Sequence, residues 1–516
     1  MSELGFWNFA QKDPSKLALV CPDGTEVSRG ELLASCNQLV HGLRALGLGP
    51  GDCVATVIPN GRAMIELYLA TCQAGWYLSP INHHLTAPEI AYIVQDSGAK
   101  AFVGSEHFAV PCAGAMDELD FPKNARFAIG EIEGFRPYAD LLAGQPETLP
   151  GDRAAGAVMN YTSGTTGRPK GVRRPLPPLD PDTVASLYTG FLAMFGIQVE
   201  DENVHLVGSP LYHTAVLVFT ACSMHMGHPV VVMEKWTPQD FLALIEKYRV
   251  TTSHMVPTQF HRMLHLPEEV RGKYDCSSTR NMVHAAAPCP IEMKLAMLDW
   301  WGDSIYEYYA ATEGGGTLVT PEEWRRYPGT VGRAWPTSEI KIYDDDGGEL
   351  PTGEHGTVYM KQSQGDFEYH KDKEKTKKSR RGEYFTVGDI GYLNEEGYLF
   401  LCDRKSDMII SGGVNIYPAE IENVLLVHPK VADVAVFGIP HQDWGEEVKA
   451  VVQPNDGVAT GDALTEEILG FCSDKLAKYK TPRTIDYIEE MPRDPNGKLY
   501  KRKLRDPYWE GHEKAI

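Results

Sequence analysis

Hydrophobic and polar positions along this chain switch repeatedly between two periods. Val54-Ala55-Thr56-Val57-Ile58 is the short continuous apolar run of a buried strand, Ala63 to Ala74 carries a helical pattern, and Ala101-Phe102-Val103 is a strand again. The same grammar returns downstream. Val230-Val231-Val232-Met233 predicts a strand, and Thr237-Pro238-Gln239-Asp240 predicts a helix start, with threonine as cap, proline at the first position and an acid in the first turn. Phe241, Leu244, Ile245 and Tyr248 follow at spacings of three and four, so that helix buries one face. The alternation from Glu31 to about Ser304 predicts an α/β fold of helix-covered, mainly parallel sheets.

After Gly329 the texture changes to short strands and turns, such as Ile340-Lys341-Ile342-Tyr343, Asp346-Gly347-Gly348 and Gly356-Thr357-Val358-Tyr359. A small β-rich subdomain over about 329–404 is expected. Beyond Arg404 comes a compact α+β region, with helices predicted from Ile421 to Val427 and from Leu464 to Leu476 and a strand at Val434-Ala435-Val436-Phe437. The expected division is a large domain over 1–404 and a small one over 405–516. At 516 residues the chain exceeds one ordinary core, which agrees.

Composition narrows the function classes. Hydrophobic residues make up 43% and charged residues 23%, the balance of a folded, water-exposed protein. The 49 basic and 70 acidic side chains give a formal charge of −21, which opposes nucleic-acid binding or an anionic membrane surface. The basic run from Lys371 to Arg381 is interleaved by Asp372 and Glu374 and reads as a solvated helix. The longest apolar region, from Ala215 to Met233, is broken by His225, Gly227, His228 and Pro229, so a buried helix followed by a strand is expected in place of a membrane span. Neither a secretory leader nor a peroxisomal tail is recognisable, which makes the cytoplasm the default. Ten cysteines without a Cys-x-x-Cys pair fit reduced thiols, and His261 and His265 lack the glutamate of a zinc-protease motif.

The densest chemistry lies in Tyr161-Thr162-Ser163-Gly164-Thr165-Thr166-Gly167-Arg168-Pro169-Lys170-Gly171-Val172. Glycines let the backbone turn its N–H groups toward phosphate oxygens; Thr162, Ser163, Thr165, Thr166 and Lys170 add donors and charge, with Gly164 and Gly167 giving the loop its freedom. Pro169 stands where a Walker loop needs a second glycine, which disfavours that class. The preceding Ala157-Val158-Met159 reads as the end of a buried strand, where α/β sheets place ligands.

This loop resembles the phosphate loop of the adenylate-forming superfamily, which comprises acyl-CoA synthetases, peptide-synthetase adenylation domains and luciferases. Other segments match in family order, from about Trp7 to Arg505. Pro210-Leu211-Tyr212-His213-Thr214 resembles the segment bordering the acyl pocket. Ala285-Ala286-Ala287-Pro288 is similar to the stretch along the adenine, and Tyr309-Ala310-Ala311-Thr312-Glu313 to the signature in which tyrosine stacks near adenine, threonine bonds the α-phosphate and glutamate holds Mg²⁺. Alanine stands at 286 and 310 where many relatives have glycine, which implies a narrowed acyl pocket lined by His213, Ala285, Ala310 and Gly314. Conversely, the apolar helix after His213 and the triplet Gly314-Gly315-Gly316 suggest a roomy one.

Asp389, in Thr386-Val387-Gly388-Asp389, resembles the aspartate that accepts from the ribose hydroxyls, and Arg404 the arginine that reaches ribose or phosphate. Lys405 and Ser406 stand at the family hinge, with serine where the pivot usually carries aspartate or lysine; Gly412 and Gly413 resemble the strand along the pantetheine channel of CoA, and Lys498 the catalytic lysine of the C-terminal loop. The resemblance implies a mobile small domain and an acid–CoA ligase using ATP, Mg²⁺ and CoA on a carboxylic acid, a fatty acid first and an aromatic or alicyclic acid next. It leaves a homodimer open. A carrier-loading adenylation enzyme is the rival, disfavoured because no carrier domain follows Lys498; a catalytically dead nucleotide sensor would need a broken motif, and Lys170, Glu313, Asp389, Arg404 and Lys498 are all present.

Overall fold

The computed structural model describes residues 4–162, 169–199, 202–362, 367–473, 475–493 and 499–510. Two large sheets form the N-terminal part. The six strands Arg136–Pro137, Arg126–Ile129, Ala99–Ser105, Cys53–Val57, Tyr77–Pro80 and Ala157–Val158 lie side by side in that order, all parallel. The second sheet has nine strands. Its centre, Ile305–Ala311, Asn281–His284, Thr252–Met255, His205–Val207, Val230–Val232 and Leu17–Val20, is parallel, and antiparallel strands close both edges. Strands buried on both faces need no polar alternation, which is why they appear in the sequence as continuous apolar runs.

The local signals hold. Thr237 caps the helix Pro238–Tyr248 by accepting from Asp240 N at 3.1 Å, and Phe241, Leu242 and Ile245 are its buried face. The broken apolar stretch is the helix Thr214–His225 followed by the strand Val230–Val232. Among the described residues no helix is long and apolar enough to cross a membrane.

An antiparallel sheet occupies the region expected to be β-rich. It contains Arg380–Arg381, Tyr384–Phe385, Gly356–Gln362, Asp389–Leu393 and Leu399–Arg404, with Ser338–Tyr343 also paired to Gly356–Gln362. A five-stranded sheet begins at Ile409 around the long hairpin Val431–His441 and Gly445–Pro454. It packs its own core of Ile409, Ile416, Ile421, Leu425, Val436, Val452 and Ile468.

Two expectations change. The basic run is helical only over Lys373–Lys378, and it is not wholly solvated: Lys375 lies over the Tyr369 ring and Arg380 over Phe367. The strands on either side of 163–168, Asn160–Thr162 and Lys170–Arg173, pair antiparallel in a separate small sheet, so the chain has left the parallel sheet before that segment begins.

Candidate functional site

The strand Ile305–Ala311 carries the central signature, and its base is anchored by charge. Glu307 accepts from Lys294 Nζ at 2.6 Å and lies 3.4 Å from His284 Nε2, all three buried. Burial pushes the Glu307 carboxyl up, but Lys294 and His284 outweigh it and hold it near about 2. Removing one partner of such a pair costs about 3–5 kcal/mol, because the other charge is left in a dry interior. This locks the strand carrying Tyr309 to the strand Asn281–His284, which runs directly into Ala285.

Two residues beyond Glu307, the Tyr309 hydroxyl donates to Asp389 Oδ2 at 2.6 Å. Burial and the facing carboxylate push the phenol well above its ordinary value, so it stays a donor. Asp389 is paired across its hairpin with Arg404, whose Nε lies 3.4 Å from Asp389 Oδ1. A carboxylate oxygen can accept more than one hydrogen bond, so Asp389 keeps capacity for further donors.

Thr312 and Glu313 form the turn into the next strand, Gly314–Val319. The Thr312 carbonyl accepts from Arg174 Nη2 at 2.5 Å, and its hydroxyl lies 3.4 Å from that of Thr214, next to His213. Glu313 Oε1 accepts from the Tyr369 hydroxyl at 2.7 Å. Tyr369 in turn sits on a short strand whose register places it opposite Val172. Lys170 Nζ pairs with Asp372 at 2.9 Å. A chain of contacts and backbone links thus runs from Arg404 through Asp389 to Tyr309, along the backbone to Thr312 and Glu313, and on through Tyr369 and Asp372 to Lys170.

Thr162 ends the hairpin strand facing Lys170, while Ser163, Gly164, Thr165, Thr166, Gly167 and Lys498 lie outside the described residues. Pro169, Arg404, Arg493 and Leu499 nevertheless line one cleft of about 1870 Å³, so the flanks of the loop and of the Lys498 segment face the same space. Lys405 donates its backbone N–H to the Gly388 carbonyl at 2.8 Å and pairs through its side chain with Asp345, and the Ser406 carbonyl accepts from Arg505 at 3.4 Å. Gly412 and Gly413 stand apart from the chain of contacts. They form a two-residue hairpin turn with φ of 58° and 80°, left-handed values that suit glycine.

Ala286 also has a left-handed φ, 74°, and is exposed, as is Pro288, with Ala287 between them partly buried. Its methyl group therefore adds backbone strain, at roughly 1–2 kcal/mol. Ala310 does face apolar surroundings, against buried Phe195, Phe219, Tyr308 and Trp335, with Phe191 beside them. Phe191 meets Phe219 at 5.2 Å and Trp335 at 5.9 Å between ring centroids, both edge to face. The glycine triplet opens no room at 315 and 316: the space a side chain would take is filled by Met360 and Ser338 at Gly315, and by Trp335 and the Tyr309 carbonyl at Gly316.

Sequence patterns alone missed Arg174, Tyr369 and Asp372 as site residues, because their partners Thr312, Glu313 and Lys170 are distant in the chain, and they missed Lys375, whose neighbour Tyr369 is close in sequence but whose inward turn a run of charges hides. The only cue was the charge density around 371–381.

The model of the AMP-binding enzyme family matches residues 6–365, and that of the AMP-binding enzyme C-terminal domain matches 420–498. The chain belongs to the AMP-binding enzyme family. Among members of this adenylate-forming family, it is 32% identical to a long-chain-fatty-acid–CoA ligase of Mycobacterium tuberculosis, over 98% of this chain and 99% of that one. It is likewise 32% identical to a feruloyl-CoA synthase of Amycolatopsis sp, over 97% and 98%. Among solved family structures, ATP-bound MatB from Rhodopseudomonas palustris superposes with a TM-score of 0.81 at 29% identity, over 99% of this chain and all of that one.

Proposed function

We propose that this chain is an ATP-dependent carboxylic acid–CoA ligase that works through an acyl-adenylate, with a fatty acid as its substrate. The observation that carries the reading is the chain of contacts from Arg404 to Lys170, which joins groups suited to ribose, α-phosphate and polyphosphate in one line.

In the first half-reaction the substrate carboxylate attacks the α-phosphorus and pyrophosphate leaves. Both reactants are anionic, so the work is electrostatic: Lys498, the Thr312 hydroxyl and the 162–170 loop offset charge on the phosphates as it develops. Tyr309, Asp389 and Arg404 hold the nucleoside. Glu313 fits a magnesium ion, which is hard and takes oxygen donors; one of its oxygens is held by Tyr369. Among the described residues no group of three or more acid, histidine or cysteine side chains could hold a metal alone, so most ligands would be phosphate oxygens and water. Such an ion would screen phosphate charge. In the second half-reaction the CoA thiol, losing its proton, attacks the acyl carbonyl and AMP leaves. We assign the domain boundary to Lys405 and Ser406, with rotation there exchanging Lys498 for the Gly412-Gly413 turn.

A second reading of the acid has its own support. The rings of Phe191, Phe195, Phe219, Tyr308 and Trp335 fill the space behind Ala285 and Ala310, which favours a compact aromatic or alicyclic acid over an extended chain. Fatty acids of graded length and ring-bearing acids, assayed with ATP and CoA for AMP release, decide between the two. Turnover rising with chain length supports the first; turnover confined to compact rings supports the second.

A further inference from the structure

The lysine run at 373–378 reads as a solvated face, yet Lys375 turns inward. Asp372 fixes the start of this helix by accepting from Lys375 N at 3.0 Å. The Lys375 ammonium then lies 4.3 Å from the centroid of the Tyr369 ring, within cation–π range. The hydroxyl of that ring holds Glu313 at 2.7 Å, and Asp372 pairs with Lys170 at 2.9 Å. Tyr369 therefore links Lys375 on its ring face to Glu313 at its hydroxyl, and its carbonyl accepts from the N–H of Asp372, the partner of Lys170, at the end of the contact chain farthest from Asp389 and Arg404.

The two cations are not equivalent. Lys170 has an ion-pair partner, whereas among the described residues no carboxylate lies within ion-pair distance of Lys375. Glu313 and Asp372 act on its charge only at longer range, and Lys170 opposes it; burial, the largest effect, holds its pKa below the ordinary lysine value. A half-buried ammonium with no ion-paired carboxylate among the described residues, near a lysine at the end of the segment proposed to hold phosphate, is arranged to receive an anionic ligand. It is a point charge on a flexible stem, the form of cation that suits phosphate oxygens without demanding bidentate geometry.

We infer that Lys375 is a second phosphate-binding cation, which together with Lys170 grips the β- and γ-phosphates of ATP and the pyrophosphate that departs. The assignment rests on the adenylating reaction proposed above. It places the nucleoside at the Asp389 end of the contact chain and the polyphosphate at the Lys375 end.

The test uses the full chain with Lys375→Met, which keeps the apolar stem, and Lys375→Arg, which keeps the charge. Three quantities are read: the affinity for magnesium pyrophosphate by calorimetry, the KM for ATP in acid-dependent ATP–pyrophosphate exchange, and the rate of thioester formation from preformed acyl-adenylate. Lys375→Met is expected to weaken pyrophosphate binding and raise the ATP KM by about tenfold, the effect of one charge-assisted hydrogen bond. Lys375→Arg should stay within about threefold of the parent, and thioester formation, whose substrate has no β- or γ-phosphate, should not change. Parental pyrophosphate affinity in Lys375→Met, or equal losses in both half-reactions, overturns the assignment and makes the residue structural. A parent that shows no exchange while Lys375 still sets pyrophosphate affinity overturns the proposed reaction and upholds the grip.

Discussion

Replacing Tyr369 by phenylalanine removes one oxygen from the site and little else. The ring is buried, packs edge to face on Phe367 at 5.5 Å between centroids and lies under Lys375, and phenylalanine preserves those contacts. Only the 2.7 Å hydrogen bond to Glu313 is lost. Burial, aided by the Glu313 charge, raises the phenol pKa far above neutrality, so the native residue donates throughout any practical assay range. A hydrogen bond to an ionised acceptor contributes about 1.5–3 kcal/mol, and Glu313 is partly exposed, which places this one near the lower end. Since 1.4 kcal/mol corresponds to a factor of ten, Tyr369→Phe should slow acid-dependent ATP–pyrophosphate exchange about tenfold. It should also raise the Mg²⁺ concentration giving half-maximal rate, because Glu313 is then free to leave its orientation. Thioester formation from preformed acyl-adenylate should be unaffected. Parental exchange with an unchanged Mg²⁺ requirement would refute the role given to Glu313, and equal losses in both half-reactions would show that Tyr369 only supports the fold.

The remaining predictions separate the two chemistries and probe the small domain. Lys498→Ala should lower adenylation by ~10²–10³-fold, as for loss of a charge-stabilising donor, while sparing thioester formation from acyl-adenylate; single-turnover assays of each step check this. Ser406→Pro, with Lys405→Pro as companion, should keep exchange and abolish acyl-CoA synthesis, because proline fixes φ at the pivot and restricts the residue before it; acyl-CoA synthesis at the parental rate in both variants would move the hinge elsewhere. Asp403 gives a pH test. Burial, reinforced by Glu422 and opposed by Lys501, raises its carboxyl from 3.8 to about 6. The folded state therefore binds this proton more tightly than the unfolded one, and the stabilisation, fully present below about pH 4, is lost as pH rises to about 6. At ~1.4 kcal/mol per pKa unit the loss is about 2–3 kcal/mol, so Asp403→Asn should flatten that part of the stability profile in denaturant titrations; an unchanged slope would refute the assignment.

What the sequence made legible follows a physical division. Signals that act within a few residues came through, as at Thr237-Pro238, where cap and proline are adjacent, and in Val230–Val232, where burial on both faces leaves a continuous apolar run. The site motifs were legible as strings, and the structure joins Tyr309 and Arg404 to Asp389, Glu313 to Tyr369, and Lys170 to Asp372. The contacts that complete the line were not legible. Arg174 reaches Thr312 across 138 positions and Tyr369 reaches Glu313 across 56, and no local period encodes such a pairing. The acyl chamber was misread at the glycines for a related reason: a missing side chain signals close approach, but the residue that approaches, Trp335 at Gly316, is set by tertiary packing.

The central claim is tested most directly by the stoichiometry of a single reaction. Purified protein, a turned-over carboxylic acid, ATP, Mg²⁺ and CoA are incubated together, and nucleotide products and thioester are quantified side by side. The account predicts one AMP and one pyrophosphate for each acyl-CoA, with pyrophosphate exchange into ATP that needs the acid but not CoA. Formation of ADP and phosphate in place of AMP, or exchange that proceeds without the acid, would contradict it.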